Sequence, residues 1–347
     1  MLKLHTTIFV FLLANTPFFI FIVLRFTNEE PPKQQTLDLI PILDIDEGVV
    51  KPSVNNSDRQ IFFIETTCAE VCDCGTVFDN RRICGFESTV RLHPDSQIFI
   101  LIVNSDYFEP AYDFEPTKKL MEFKNIHFRS INLEKFSKGT PLEQFFATKR
   151  YTKSRFMKTH LSDILRYLVL WKYGGTYLDS DMICLKNLDD LGSNWASDEG
   201  DKSVQSAMMN LGNDDLGRTL AKNFLNEVNT RFNGKKWAIN GPQLVTRVLQ
   251  RFCKTKSIYK MMKQTCKGFK IYPGTKFAPV NWEKAEDYFK EISSNDTMSV
   301  INDAYTAHIF NHITFNLRVL KNASVPYAKL ANQFCPDMVS YPKKKCI

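Results

Sequence analysis

No internal repeat runs through the 347 residues, and no basic block is denser than Lys343-Lys344-Lys345 at the C-terminus. The basic residues are scattered among 38 acidic ones, so the formal net charge of +7 forms no stripe suited to nucleic acid. That charge suits an anionic membrane surface or a negatively charged sugar nucleotide better. A disordered composition is absent too: 44% of residues are hydrophobic and 13% aromatic, enough to bury one large core or two modest ones. Long apolar runs are scarce. The clearest, Ile8 to Leu24 (IFVFLLANTPFFIFIVL), lies between Lys3 and Arg25. Its 17 residues are at the short end for a membrane-spanning helix, and Asn15 and Pro17 interrupt it. No small-x-small cleavage site follows, which favours an uncleaved signal anchor over a removed signal peptide. Glu29-Glu30 beyond the run favours a short cytosolic tail, residues 1–7, and a lumenal body.

Cysteine usage fits such a body. Nine cysteines is an odd number, so at least one is free or pairs between chains. Cys68, Cys72, Cys74, Cys84, Cys253, Cys266, Cys335 and Cys346 fall in stretches read as exposed or as loops, whereas Cys184 follows an apolar strand. The Cys68/Cys72/Cys74/Cys84 cluster has a spacing conceivable for zinc, but disulfides suit a secretory setting better. Asn55, Asn295 and Asn322 each begin a triplet that accepts N-glycans in that setting. Residues 25–59, broken by Pro31, Pro32, Pro41 and Pro52, read as an extended stem. The folded domain is expected over 60–347.

Within it, IFFIET after Gln60, QIFILIV at Gln97 to Val103 and NIHFRSINL at Asn125 to Leu133 read as strands, with a helix at Glu87 to His93 before Pro94. Strands alternating with helices predict an α/β fold with a mostly parallel central sheet. Leu161, Ile164, Leu165, Leu168 and Trp171 recur at helical spacing, predicting a helix from about Thr159 to Tyr173, ended by Gly174-Gly175. Tyr177-Leu178 then leads into Asp179-Ser180-Asp181. In an extended chain the two carboxylates point to one side, where they repel unless a cation or solvent lies between them. A hard divalent ion, held together with substrate phosphate oxygens, is the economical answer. A solvated turn is the plainer reading of a D-x-D triplet, and a surface salt bridge that of Asp163 and Arg166 at i,i+3.

The segment SDILRYLVLWKYGGTYLDSDMICLKNL resembles the nucleotide-sugar-binding region of the D-x-D glycosyltransferases, and more narrowly the α1,4-glycosyltransferase family that includes globotriaosylceramide synthases. FFIET, ESTVRLHPDS at Glu87 to Ser96, NGPQLVTRV at Asn240 to Val248, YTAHIFN at Tyr305 to Asn311 and FCPDM extend the resemblance over most of 60–340. It implies a GT-A-like fold, a UDP-sugar donor, Mn²⁺ and retention of anomeric configuration. It further implies that Asp181 is the direct metal carboxylate, that Asp179 meets ribose or metal, and that His308 is the third metal ligand. Asp163 and Arg166 would hold donor-sugar hydroxyls and diphosphate, with Gly174, Gly175 and Tyr177 part of the donor-binding region. Gly241-Pro242-Gln243 would line the donor pocket with Gln243 near the reacting sugar, although Pro242 also suits a helix start. His312 lies close enough to be confused with His308. Phe310 stands where this block usually has Trp, and Cys72 and Cys74 look like additions. The implied activity moves galactose or N-acetylgalactosamine onto a glycosphingolipid in the Golgi membrane. Transfer of N-acetylglucosamine to O-glycans and a catalytically inert relative are the alternatives.

Overall fold

The computed structural model describes residues 59–66, 78–103, 115–200, 202–263, 266–292 and 294–340. It also gives the backbone of short strands at His5–Ile8, Ile22–Arg25, Ile40–Pro41, Leu43–Asp44 and Tyr107–Phe108. Met1–Leu39 and Ile40–Ile347 form two units. In the first, His5–Ile8 and Ile22–Arg25 pair antiparallel. Apart from those strand residues, the expected anchor at 8–24 lies outside the described residues. Among the described residues no helix is long and apolar enough to cross a membrane. The expected stem is likewise mostly outside them, although Leu43–Asp44 (β1) pairs with the edge of the main sheet.

In the second unit, three apolar runs form strands β2 (Gln60–Glu65), β3 (Gln97–Val103) and β4 (Ile126–Ile131). Between β2 and β3 runs helix α1 (Asn80–Leu92), and α2 (Met157–Tyr173) precedes β5 (Gly175–Leu178). A short β6 (Met182–Cys184) follows, then β7 (Trp195–Ser197), β8 (Met208–Leu211) and β9 (Lys270–Tyr272). The sheet order is β9-β7-β8-β5-β2-β3-β4-β1. From β5 to β1 all neighbours are parallel, while β8 runs antiparallel to both β5 and β7. The fold is therefore α/β with a mostly parallel central sheet, as the sequence predicts.

Both faces of the sheet are covered, which explains the nearly continuous apolar strands. Phe62, Ile64, Phe99, Leu101 and Tyr177 pack towards α2, α3 (Asp215–Arg231) and α4 (Pro242–Phe252). Ile61, Phe63, Ile98, Ile100 and Leu178 pack on the other side with α1, β6 and α5 (Pro326–Phe334). The chain steps outward from β2 to β3 and β4, then returns to the far side of β2 to lay down β5. At such a reversal the crevice beyond the carboxyl ends of the strands is where open α/β sheets bind ligands.

Helix α2 fits the predicted periodicity, with Leu161, Ile164, Leu165 and Leu168 all buried. Gly174, at φ +67°, ends it. Gly175, at φ +91°, lies so close to β2 that a Cβ there would come within 2.5 Å of the Gln60 carbonyl oxygen. Helix α1 is longer than predicted, because Arg81, Arg82 and Gly85 break the apolar pattern in its first half. Its start is set by Asp79, whose carboxylate accepts the Arg81 and Arg82 N–H groups. Cys84, read from sequence as exposed, is buried in this helix and bonded to Cys335 just beyond α5. That pairing removes Cys84 from any zinc site with Cys68, Cys72 and Cys74, which lie outside the described residues. A second disulfide joins Cys253 to Cys266. Cys184 is free and buried, and burial pushes its thiol pKa up to about 12, so it is unreactive.

His93 closes α1. Its Nδ1–H donates to the Thr89 carbonyl at 2.8 Å, and its Nε2 accepts the Leu188 N–H at 2.8 Å. Acceptance at Nε2 requires the neutral ring, and burial holds its pKa below the ordinary value. The unfolded chain takes up this proton near pH 6.5 (about the ordinary His value), and the folded chain resists it until lower pH. Stability from this group is therefore complete above about pH 6.5 and lost as pH falls below it. His93→Gln should destabilise the protein by about 1–3 kcal/mol at pH 7 and by less at pH 5, as measured by chemical denaturation.

Candidate functional site

The Asp179-Ser180-Asp181 triplet leaves the carboxyl end of β5 at the reversal between β2 and β5. It is a tight turn rather than the extended strand expected from sequence, closed by the Met182 N–H donating to the Asp179 carbonyl at 3.1 Å. The turn is not a solvated one, since the side chains of Asp179 and Asp181 are only 28% and 14% exposed. Its backbone rests on α1. A Cβ on Gly85 would lie 2.4 Å from the Ser180 carbonyl oxygen and 3.0 Å from that of Met182. Ser88, one turn further along α1, accepts the Cys184 N–H through its hydroxyl at 3.0 Å.

The two carboxylates face different partners. Asp179 Oδ1 accepts the Tyr177 hydroxyl at 2.6 Å and lies 3.3 Å from Arg166 Nη1. Arg166 is 4% exposed, with its guanidinium 4.4 Å from the centroid of the Tyr177 ring. Nη1 also donates to the Ser206 carbonyl at 2.6 Å, and Nε donates to the Ser162 carbonyl at 3.3 Å. Nη2 faces the Ser162 hydroxyl and Asp163 Oδ1 at 3.3 and 3.1 Å. The pair at i,i+3 on α2 is thus a buried bridge, not a surface one. Arg166 has its donors directed at Ser162, Asp163, Asp179 and Ser206 inside the protein. Its work is to hold Asp163 and Asp179. Burial raises the Asp163 pKa to about 7; Arg166 opposes that shift and Asp179 adds to it. Gly241, at the start of α4, abuts this carboxylate so closely that a Cβ would sit 2.7 Å from Oδ1.

Asp181 looks towards the C-terminal part of the chain. There β10 (Thr306–His308) pairs antiparallel with β6, setting His308 opposite Met182. His308 Nε2 lies 3.3 Å from Asp181 Oδ1, while Oδ2 accepts the Asn311 N–H at 2.7 Å. Burial alone would raise the Asp181 pKa, but His308 and the Asn311 N–H outweigh it and hold the group well below the usual carboxylate range. Burial would likewise lower the His308 pKa, and the charge of Asp181 reverses that shift. The Phe310 ring stacks on the imidazole with centroids 3.8 Å apart, so an aromatic side chain fixes its plane.

Asp179, Asp181 and His308 each offer a ligand atom, and these atoms all lie within 4.8 Å of one another. Two carboxylates and an imidazole form a donor set that fits a divalent cation. The buried Nδ1 of His308, which has no hydrogen-bond partner, fits the same reading. His312 is outside this group; its exposed ring stacks on Trp237 at 5.5 Å. Gln243 is exposed in the first turn of α4. Gly174 and Gly175 stand at the opposite end of β5 from the triplet and shape the backbone there. Tyr177 is buried beneath Arg166 and acts through Asp179. Sequence reasoning gave no role to Gly85, Ser162, Ser206 or Asn311, although Ser162 and Asn311 stand within the segments that carry the resemblance.

The glycosyltransferase sugar-binding region containing the DXD motif matches residues 79–198 of this chain, and the alpha 1,4-glycosyltransferase conserved region matches 213–341. The mouse lactosylceramide 4-alpha-galactosyltransferase is 28% identical over 92% of this chain and 86% of its own length. The human alpha-1,4-N-acetylglucosaminyltransferase is 22% identical over 75% of this chain and 76% of its own. The galactosyltransferase LgtC, solved with donor and acceptor sugar analogs, overlaps 82% of this chain and 98% of its own. Its identity is 13% and its TM-score 0.41.

Gly85→Ala tests the contact between α1 and the triplet. In an ordinary helix interior this change gains about 1 kcal/mol. Here the added methyl meets a backbone carbonyl that cannot move freely, so a loss of about 1–3 kcal/mol is expected in denaturant unfolding.

Proposed function

We propose, since this chain belongs to the DXD-containing α1,4-glycosyltransferases, that it transfers galactose or N-acetylgalactosamine from a UDP-sugar onto a glycosphingolipid in α1,4 linkage, with retention. The observation that carries the reading is the convergence of Asp179, Asp181 and His308 at the switch point of the sheet. The relative named for galactosyl transfer to lactosylceramide matches at higher identity and coverage than the one named for N-acetylglucosamine transfer, which favours the glycolipid acceptor. Transfer of N-acetylglucosamine to O-glycans is the second reading, supported by that latter relative. A GT-A-like fold is part of the proposal, supported by the parallel sheet with the triplet at its switch point.

Asp179, Asp181 and His308 would hold Mn²⁺. When bound, the ion supplies a Lewis acid that offsets charge gathering on a departing diphosphate. The chain's own residues prepare the site. Tyr177 and Arg166 fix one oxygen of Asp179, and the Asn311 N–H fixes one oxygen of Asp181. Asp163, held by Arg166, is the carboxyl assigned to a donor-sugar hydroxyl, and the close approach of Gly241 brings the start of α4 beside it. Gln243 is the exposed side chain assigned to the reacting sugar. A front-face route through an oxocarbenium-like ion pair needs no covalent nucleophile, and none of these groups is cast as one.

The proposal includes the Golgi membrane as the location, with 8–24 as a single-pass type II signal anchor, 25–59 as stem and the catalytic domain lumenal. The two disulfides among the described residues support an oxidising compartment.

The full chain in detergent, given Mn²⁺ and a panel of UDP-sugars with lactosyl- and related glycolipids, should release UDP with one preferred donor. Asp181→Ala should reduce that release to background, and chelation should do the same to wild type. A folded chain that neither binds UDP nor turns over any donor would leave the inert-relative reading in place of this one.

A further inference from the structure

Arg81 is a buried cation, 7% exposed, in the first turn of α1. Its hydrogen bonds converge on one segment of the chain. Nη1 donates to Asn311 Oδ1 at 3.0 Å and to Thr314 Oγ1 at 2.8 Å, and Nη2 donates to the Leu317 carbonyl. The guanidinium lies 4.5 Å from the centroid of the Phe289 ring, with Tyr327 at 5.7 Å. Asp79, which caps the same helix, accepts from Asn311 Nδ2 at 3.1 Å. The start of α1 therefore grips both ends of the Asn311 side chain.

The backbone of the same residue reaches the metal cluster, through the N–H that sits on Asp181 Oδ2. The chain arrives there through Phe310 at φ +52°, a left-handed conformation that costs a residue with a side chain about 1–2 kcal/mol. A turn of that kind persists only when its surroundings hold it. Arg81 contributes to that hold from outside the turn, with partners that span Asn311 to Leu317.

We propose that Arg81 is a positioning residue for Asp181. By clamping 311–317 it keeps the Asn311 N–H on Oδ2 and so commits Oδ1 to the cation site shared with Asp179 and His308. The inference rests on the reading of Asp181 as a metal ligand. Groups that orient a ligand in this way change metal affinity when lost, commonly by about 10- to 100-fold, without contacting the ion.

The test is Mn²⁺ binding to the full chain in detergent with UDP present, followed by the paramagnetic resonance signal of free Mn²⁺. Arg81→Met keeps a side chain over Phe289 and removes the donors. It should weaken Mn²⁺ binding by about 10- to 100-fold. The Mn²⁺ needed for half-maximal UDP release should rise in parallel, with kcat at saturating metal largely retained. Thr314→Val, which removes one acceptor at nearly constant volume, should shift binding in the same direction by less. A folded Arg81→Met chain with wild-type Mn²⁺ affinity overturns the proposal, and if Asp181→Ala still loses the ion, the reading of the site stands. Wild-type affinity in Asp181→Ala overturns both. Should Arg81→Met fail to fold, wild-type affinity in both Thr314→Val and Asn311→Ala overturns the proposal instead.

Discussion

Crowded negative charge is the constraint around which this molecule is arranged. Asp163, Asp179 and Asp181 gather at the end of β5, where burial strengthens every repulsion between them. Arg166 answers the first two from within α2, and His308 answers the third from β10. Like charges packed this way are unfavourable unless fixed cations or a bound one oppose them. The buried guanidinium and the imidazole meet part of that demand. What remains is attraction for a small, highly charged cation.

Holding the carboxylates still falls to elements far apart in sequence. Helix α1 lets the triplet close against it at Gly85 and reaches over to grasp residues 311–317 through Arg81. Helix α2 delivers Asp163 and Arg166 from the opposite face of the sheet. The β6–β10 pair brings the last contributor, His308, alongside Asp181. Each oxygen tied to the protein leaves its twin with fewer orientations, so the cluster is ordered before anything binds. Preorganisation of this kind is where a folded scaffold adds most to charge stabilisation.

The parts legible in the sequence were those with strong local signals. Strands β2 and β3 and helix α2 announce themselves by unbroken apolar runs or helical spacing, and Gly174-Gly175 by the need to stop and turn. The triplet and His308 were legible by resemblance, and the geometry brings them together. The first half of α1 was hidden because its buried face includes Arg81, Cys84 and Gly85, residues that look like loop when burial is judged by hydrophobicity. The committed donors of Arg166 could not be foreseen, since Ser162 is a neighbour on the helix but Ser206 is distant in sequence. The role of Asn311 was unreadable for a similar reason: its N–H reaches Asp181 and its side chain reaches Asp79 and Arg81, all far from it in sequence.

The bond between Cys84 and Cys335 closes a loop of 251 residues. Synthesis delivers α1 long before Cys335, so the helix that backs the triplet stays without this covalent tie until residue 335 has been added. A polypeptide that stopped short of Cys335 would retain every strand of the main sheet together with Asp179, Asp181 and His308, yet lack the tie that fixes α1 to α5. The tie on α1 can therefore form only after every strand between it and Cys335 has been made.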